Sequence, residues 1–368
     1  MPSKTKLGVL TLYLGGKKGV FEERSFFRQL TVAGQKIGVD VYIFTPENVD
    51  EGKQRIHAHQ FSNGKWARVT IPYPELFLDR SRFYSTAQFR TITGFRQRNP
   101  QLTFISTPLQ NKWKLYTKLA QQPAIRPYLP HTMLYRGFDD LRKQLLTNRL
   151  IYLKPINGSG GRGILRIERI SDGVYSFRGR MASRRIIPER RVNLLQLRSL
   201  VNERQPANRY IVQQGIDIRL RSGHVHDYRM LIQKNGQGEW EVTGCVGRVG
   251  PAGSVTSNLH GGGRAVPMLK LLTHWFGNET KAKSVTANVH KFGYTLVDTL
   301  ESLYGRLCEL ALDLAIDKTG HIWLLEVNTK PARQVFARIG DRTAYHKAIS
   351  RPLEYAKWLS RTKSGDGS

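Results

Sequence analysis

Short apolar blocks of strand length, broken by turn residues, alternate along the chain with stretches of helical spacing. Lys6 to Leu14 is one such block, ending at Gly15-Gly16, too little for a nucleotide fingerprint and read as a simple turn. Phe26, Phe27, Leu30, Ala33 and Ile37 share one side of a helix over Glu22 to Gly38, with Gly38 as its stop, and Val39 to Phe44 is the next strand. Strand, helix and strand at this spacing predict a parallel α/β unit. Arg55 to Phe61 and Lys65 to Ile71 flank Ser62-Asn63-Gly64, a hairpin signal. A basic helix over Ser85 to Arg98 and a short strand over Leu102 to Ile105 close a first domain, placed at residues 1–108.

A lysine-bearing helix over Asn111 to Gln122 follows, then an extended connection enforced by Pro123, Pro127 and Pro130, then a short amphipathic helix from Gly137. Strands are expected at Leu150 to Pro155, Ile164 to Ile167, Arg209 to Ile216, Asp227 to Gln233 and Trp240 to Arg248. Thr286 to Leu312 reads as mostly helix, and Tyr345 to Leu359 as a closing helix before a polar, frayed tail.

Leu312 to Ile316 and His321 to Val327 read as a β-hairpin around Asp317-Lys-Thr-Gly320. With Lys318 and Thr319 at the tip, Asp313 falls opposite Leu324. Alternation then points Asp313, Glu326 and Asn328 to one face. Two carboxylates and an amide oxygen form an all-oxygen set suited to Mg²⁺ beside nucleotide phosphates. The competing reading is two unrelated acids on a solvated face. Against it, Glu326 lies within Trp-Leu-Leu-Glu-Val, where an unpaired carboxylate is costly.

Asn157-Gly-Ser-Gly-Gly-Arg-Gly163 has four glycines in the six residues from Gly158. Its bare amides could wrap a phosphate beside Lys154, or the segment is only a flexible turn. Ser176 to Arg204 is strongly basic, read either as a hold for an acidic substrate or as a solvated helix surface. His57/His59 and His224/His226 lack a third ligand nearby and are taken as structural or surface histidines.

The 368 residues suggest two or three domains, and the 40% hydrophobic content suffices for real cores. No run approaches a membrane span, and Met-Pro-Ser-Lys leads straight into a strand, so neither a span nor a signal peptide is expected. Cys245 and Cys308 alone give no disulfide framework, in keeping with a cytoplasmic setting. A net charge of +30 calls for anionic partners without saying which.

Taken in order, these features resemble the ATP-grasp fold over about residues 108–335: Lys112 on its helix; Lys154-Pro155 with the glycine loop; Gln213-Gln214-Gly215-Ile216; Asp227-Tyr-Arg229; Ser257-Asn258-Leu-His260-Gly-Gly; and Asp313, Glu326 and Asn328. The last spacing resembles the D-alanine–D-alanine ligases, and the Ser-Asn-Leu-His run resembles the glutamate ligases that modify ribosomal protein S6. Arg126-Pro-Tyr-Leu-Pro-His-Thr132, the run at 238–244 and Glu326-Val-Asn-Thr-Lys-Pro331 most resemble the YheC/YheD branch, described as endospore coat-associated.

The resemblance implies an α/β chain (α+β in the ATP-binding part), with a Rossmann-like pre-ATP-grasp domain at 1–108. A small subdomain with the glycine loop would span 109–215, a subdomain with the metal site 216–335, and a C-terminal helix and tail 336–368. It implies ATP held between two antiparallel sheets. Lys112, Lys154 and the loop at Gly158, Ser159, Gly160 and Gly161 would hold phosphates. Gln213, Gln214, Gly215 and Ile216 would hold adenine, with Asp217 near the ribose. Asp313, Glu326 and Asn328 would hold one or two Mg²⁺, or Mn²⁺ in their place. Arg229, Arg248 and Arg264 would face the γ-phosphate or an acylphosphate. Two positions depart from the pattern: Asn111 stands where Asp is usual, and Ala311 where peptide ligases carry an arginine, a job assigned here to Arg248.

The implied reaction is ligation of an acidic carboxylate substrate to an amine co-substrate through an acylphosphate. The implied setting is cytoplasmic or spore-coat associated, with coat proteins as partners. The alternatives are a non-catalytic nucleotide-binding coat protein and a nucleic-acid binder; the second lacks a reading motif.

Overall fold

In the first apolar block, Leu7 to Leu10 are all buried, as in a strand covered on both faces. The computed structural model describes residues 4–14, 20–82, 85–158, 160–183, 185–203, 207–257, 259 and 262–363. β1 (Thr5–Leu10) pairs in parallel with β2 (Val39–Phe44), joined by α1 (Arg24–Ile37). Gly38 stops that helix at a φ of 77°. β3 (Val49–Asp50), β4 (Arg55–Ser62), β5 (Lys65–Pro72) and β6 (Leu76–Asp79) complete a six-stranded sheet, with β6 parallel to the other edge of β1. α2 (Thr86–Arg98) is capped by Ser85. The strand expected at Leu102 to Ile105 is reduced to one bridge from Phe104 to Phe77.

A second, wholly antiparallel sheet follows α3 (Lys112–Ala120). It contains β7 (Thr132–Leu134), and then, after α4 (Phe138–Thr147), β8 (Leu150–Pro155), β9 (Leu165–Ser171), β10 (Val174–Arg180) and β11 (Ile186–Val192). α5 (Leu194–Asn202) leads into β12 (Tyr210–Gln214). The order is β11-β10-β9-β8-β12-β7. One face buries Ile151, Leu153, Ile167 and Phe177 under Leu141 and Leu145 of α4 and Leu197 of α5. The basic stretch is therefore not one helix surface: β10 and β11 carry Arg178, Arg180, Arg190 and Arg191, α5 carries Arg198, and in β10 alternation turns Phe177 into the core and leaves Arg178 and Arg180 on the opposite face. Arg184 and Arg204 lie outside the described residues.

The third sheet has the order β15-β14-β13-β16-β17. Its strands are β13 (His226–Lys234), β14 (Trp240–Val249), β15 (Arg264–Pro267), β16 (Glu309–Ile316) and β17 (Ile322–Asn328), with α6 (Met268–Phe276) and α7 (Glu279–Tyr304) between β15 and β16. The single helix expected over Thr286 to Leu312 begins earlier and stops before Gly305; Leu312 lies in β16, which is buried at every position. A run that apolar carries no period to tell strand from helix. Tyr228, Met230, Ile232 and Leu312 face the two helices, so Asp227, Arg229, Arg248 and Asp313 share the other face.

After α8 (Gln334–Arg338), α9 (Arg342–Lys363) returns to the first sheet, where Ile349, Leu353, Ala356 and Leu359 join the core of Leu7, Phe27 and Leu30. Arg80, at the end of β6, is buried between Glu23 (2.8 Å) and Glu309 (3.1 Å), and Arg333 also pairs with Glu309. This network ties the first sheet to the third. Among the described residues no helix is long and apolar enough to cross a membrane.

Candidate functional site

The β16–β17 hairpin sets two carboxylates side by side by a route that alternation alone does not give. The tip is one residue wider than expected: Asp317 faces His321, and Ile316 pairs with Ile322. Continued without a break, that register would set Asp313 opposite Leu325 and turn Glu326 to the helix side. A bulge at Leu325 restores the parity, so Asp313 pairs directly with Glu326 and not with Leu324. Asn328 pairs with Ala311, two residues from Asp313 and on the same face.

Asp313 is buried and accepts two bonds from Arg229, at 2.8 and 2.9 Å. Arg248 lies 3.1 Å from its second oxygen and also grips Asp227 through two bonds of 2.6 Å. Burial alone would raise the Asp313 carboxyl, but the two guanidiniums overcome it and hold the group at about 2. Arg248 is pushed upward despite its burial, because Asp227 and Asp313 stabilise its charge. An arginine from β14 thus reaches Asp313, the first acid of the expected metal set.

Lys154, near the end of β8, lines the cleft, and its ammonium donates to Gln213 Oε1 of the neighbouring β12 at 2.6 Å. The residue keeps some exposed surface because it lines the opening, yet protein surrounds the ammonium. Burial pushes it down to about 8; Glu326 opposes this shift and Lys112 adds to it. Lys112 opens α3, whose N-cap is Asn111, accepting from the Lys114 amide at 3.0 Å. Asn caps as well as Asp, so the departure there costs the helix nothing. The Lys112 ammonium donates to the Gly158 carbonyl at 2.5 Å and lies 3.3 Å from Glu326. In the loop, Gly158, Gly160, Gly161 and Gly163 hold φ of 134°, 71°, 70° and 67°, so backbone geometry accounts for its glycines whatever it binds.

Lys112, Lys154, Asp227, Arg248, Asp313 and Glu326 line one cleft between the second and third sheets, with Ile216, Val225 and Val255 as apolar walls. Gly158, Gly161, Gln213, Gln214 and Ile216 line it; Ser159 lies outside the described residues, as do Asn258 and His260. Gly160, Arg229 and Asn328 are not part of the wall, and Arg229 reaches the site only through Asp313. Gly215 is glycine for packing, since a Cβ there would sit 2.2 Å from Leu150 Cγ. Asp217 is turned outward to Arg219 at 2.9 Å. Arg264 pairs with Val249 on the helix side of its strand, while Ala265 takes the place beside Arg248; the register does not bring this arginine to the cleft. Sequence reasoning gave no role to Asp227, Tyr152 or Thr256, all on the wall. Only Asp227 carried a signal, a carboxylate two places from Arg229 on one strand face.

Among the described residues no three His, Cys, Asp or Glu side chains gather to hold a metal by themselves. Lys112, Lys154, Arg162 and Arg248 on the wall outnumber Asp227, Asp313 and Glu326 there. That balance suits a divalent cation arriving with phosphate oxygens, to which the protein adds one or two carboxylates.

Two antiparallel sheets closing on a cleft with a lysine on one side and an Asp/Glu pair on the other define an ATP-grasp protein. Residues 101–359 match the YheC/D-like ATP-grasp family, and the chain belongs to it. It is 24% identical over 356 residues to the endospore coat-associated protein YheC of Bacillus subtilis (strain 168), covering 94% of this chain and 95% of that one. Solved structures with the same fold include the D-cycloserine synthetase DcsG, at TM-score 0.57 and 14% identity over 97% of this chain and 99% of that one. Another is the ATP-grasp ligase PsnB complexed with minimal precursor, Mg and ADP, at TM-score 0.54 and 12% identity over 95% and 98%.

Proposed function

We propose that this protein is an ATP- and Mg²⁺-dependent carboxylate–amine ligase that works through an acylphosphate. One observation carries the reading: Lys154 from one sheet, and Asp313, Glu326 and Arg248 from the other, line a single cleft. A metal-and-ADP complex of a ligase sharing the fold supports the choice of ligands.

Lys154 and Lys112 bind phosphate oxygens, and the glycine loop covers them. Arg248, fixed by Asp227, holds a permanent positive charge where the transferring phosphoryl group gathers negative charge. Arg229 orients Asp313. Asp313 and Glu326, with Asn328 beside them, would hold Mg²⁺, which supplies charge neutralisation on the phosphates when bound. Positioning and fixed charge suffice for this chemistry, so no nucleophilic side chain is required. The carboxylate substrate belongs to an acidic peptide or polymer, for which a chain of net charge +30 is complementary, and the likeness to YheC supports a spore-coat setting.

The test is ADP release on mixing enzyme, Mg-ATP, acidic peptides and an amine pool, with product mass read in parallel. Release that needs both co-substrates, and a product lighter by one water than their sum, are expected. Mg-ADP stabilisation without turnover for any carboxylate would favour a nucleotide-binding coat protein instead.

A further inference from the structure

We infer that Lys112 is a specificity-determining residue: it acts as the internal counter-ion of Glu326 and keeps free divalent cations out of the site until nucleotide phosphate draws it away. The inference rests on the proposed nucleotide site and goes beyond it by assigning an order of binding.

The geometry is specific. The ammonium of Lys112 stands between the Gly158 carbonyl at 2.5 Å and Glu326 Oε1 at 3.3 Å. Of the two opposed carboxylates, Asp313 is already engaged by Arg229 and Arg248. Each acid that could hold a metal is therefore capped by protein cations. A free dication entering here meets positive charge, because the lysines and arginines outnumber the acids. An ammonium beside the only carboxylate not fixed by arginine repels it most directly.

Phosphate reverses the balance. Lys112 is the first residue of α3, on a flexible stem, with its side chain 23% exposed. It can turn from Glu326 to a phosphate oxygen without moving the helix. That one movement frees Glu326 as a ligand and releases Gly158, so the glycine loop can settle on the phosphates. The Arg248–Asp227 pair cannot move this way, since both partners are buried and doubly bonded. Lys112 is thus the mobile cap, and the arginines are the fixed ones.

The experiment follows the electron paramagnetic resonance signal of free Mn²⁺ on titration with the full chain, with and without ADP. For the unaltered protein, no loss of signal is expected without ADP, and a loss beyond that caused by ADP alone is expected with it. Lys112→Met should bind Mn²⁺ without nucleotide roughly tenfold or more tighter than the unaltered protein, from the removal of a unit charge next to the ligand. Lys112→Arg should keep the exclusion, and Lys112→Met with Glu326→Gln should lose the gain. Mn²⁺ binding to the unaltered protein that is equally tight with and without ADP would overturn the inference, as would Lys112→Met behaving like the parent. Absence of any thermal shift with Mg-ADP would instead overturn the nucleotide-site reading itself.

Discussion

Lys154 gives the sharpest prediction, because its ammonium has no carboxylate in contact. Its bonded partner is the neutral Gln213, and burial brings it from 10.5 to about 8. The sign follows from that direction. Between pH 8 and 10.5 the unfolded chain keeps a proton that the folded protein has lost, so the group's penalty is relieved as pH rises and apo stability climbs. Nucleotide behaves oppositely, since phosphate needs the ammonium. If only the charged form binds, affinity is flat below pH 7 and falls about tenfold between pH 7 and 9 as the charged fraction drops from roughly nine-tenths to one-tenth. Binding above pH 8 must then take up a proton. Isothermal titration of ADP in two buffers of different ionisation heat measures this uptake directly: little at pH 6.5, approaching one proton at pH 9. Lys154→Met should bind weakly and lose the pH dependence. Equal affinity at pH 7 and 9, or uptake that persists in Lys154→Met, would refute the assignment.

Asp313→Asn leaves Arg229 and Arg248 short of a buried counter-charge and should cost about 3–5 kcal/mol in urea unfolding, with loss of the Mg-ADP thermal shift. The same carboxyl, held at about 2 against 3.8, should contribute stability above pH 4 that is lost as pH falls through about 2, visible in acid unfolding of the parent and missing from the variant. Gly215→Ala drives a methyl into Leu150 and should destabilise by about 1–3 kcal/mol, with part of the loss recovered when Leu150→Ala makes room; thermal melts of the single and double variants decide.

The elements that were legible in the sequence are those whose signals lie within a few residues of each other. Gly38 marked a helix stop, Ser62-Asn63-Gly64 a hairpin, and the β2 boundaries were read correctly because each depends on local backbone preference and on a period. The α7 limits and the Leu102 to Ile105 strand were misjudged where apolar runs carry no period. The face shared by Asp313 and Glu326 was anticipated, but through a register the molecule does not use. The wider tip and the Leu325 bulge offset each other, and neither leaves a mark in composition.

What the chain alone determined, then, was which residues were chemically fit to act: acids in an apolar hairpin, a lysine ahead of glycines, an excess of positive charge. Which of them meet was decided only in three dimensions. Arg248 reaches Asp313 across β13, Lys112 reaches Glu326 from another part of the chain, and Asp217 and Arg264 face elsewhere. Pairing between side chains far apart in sequence depends on sheet order and register, and these are fixed by the packing of the whole core and not by any neighbour along the chain.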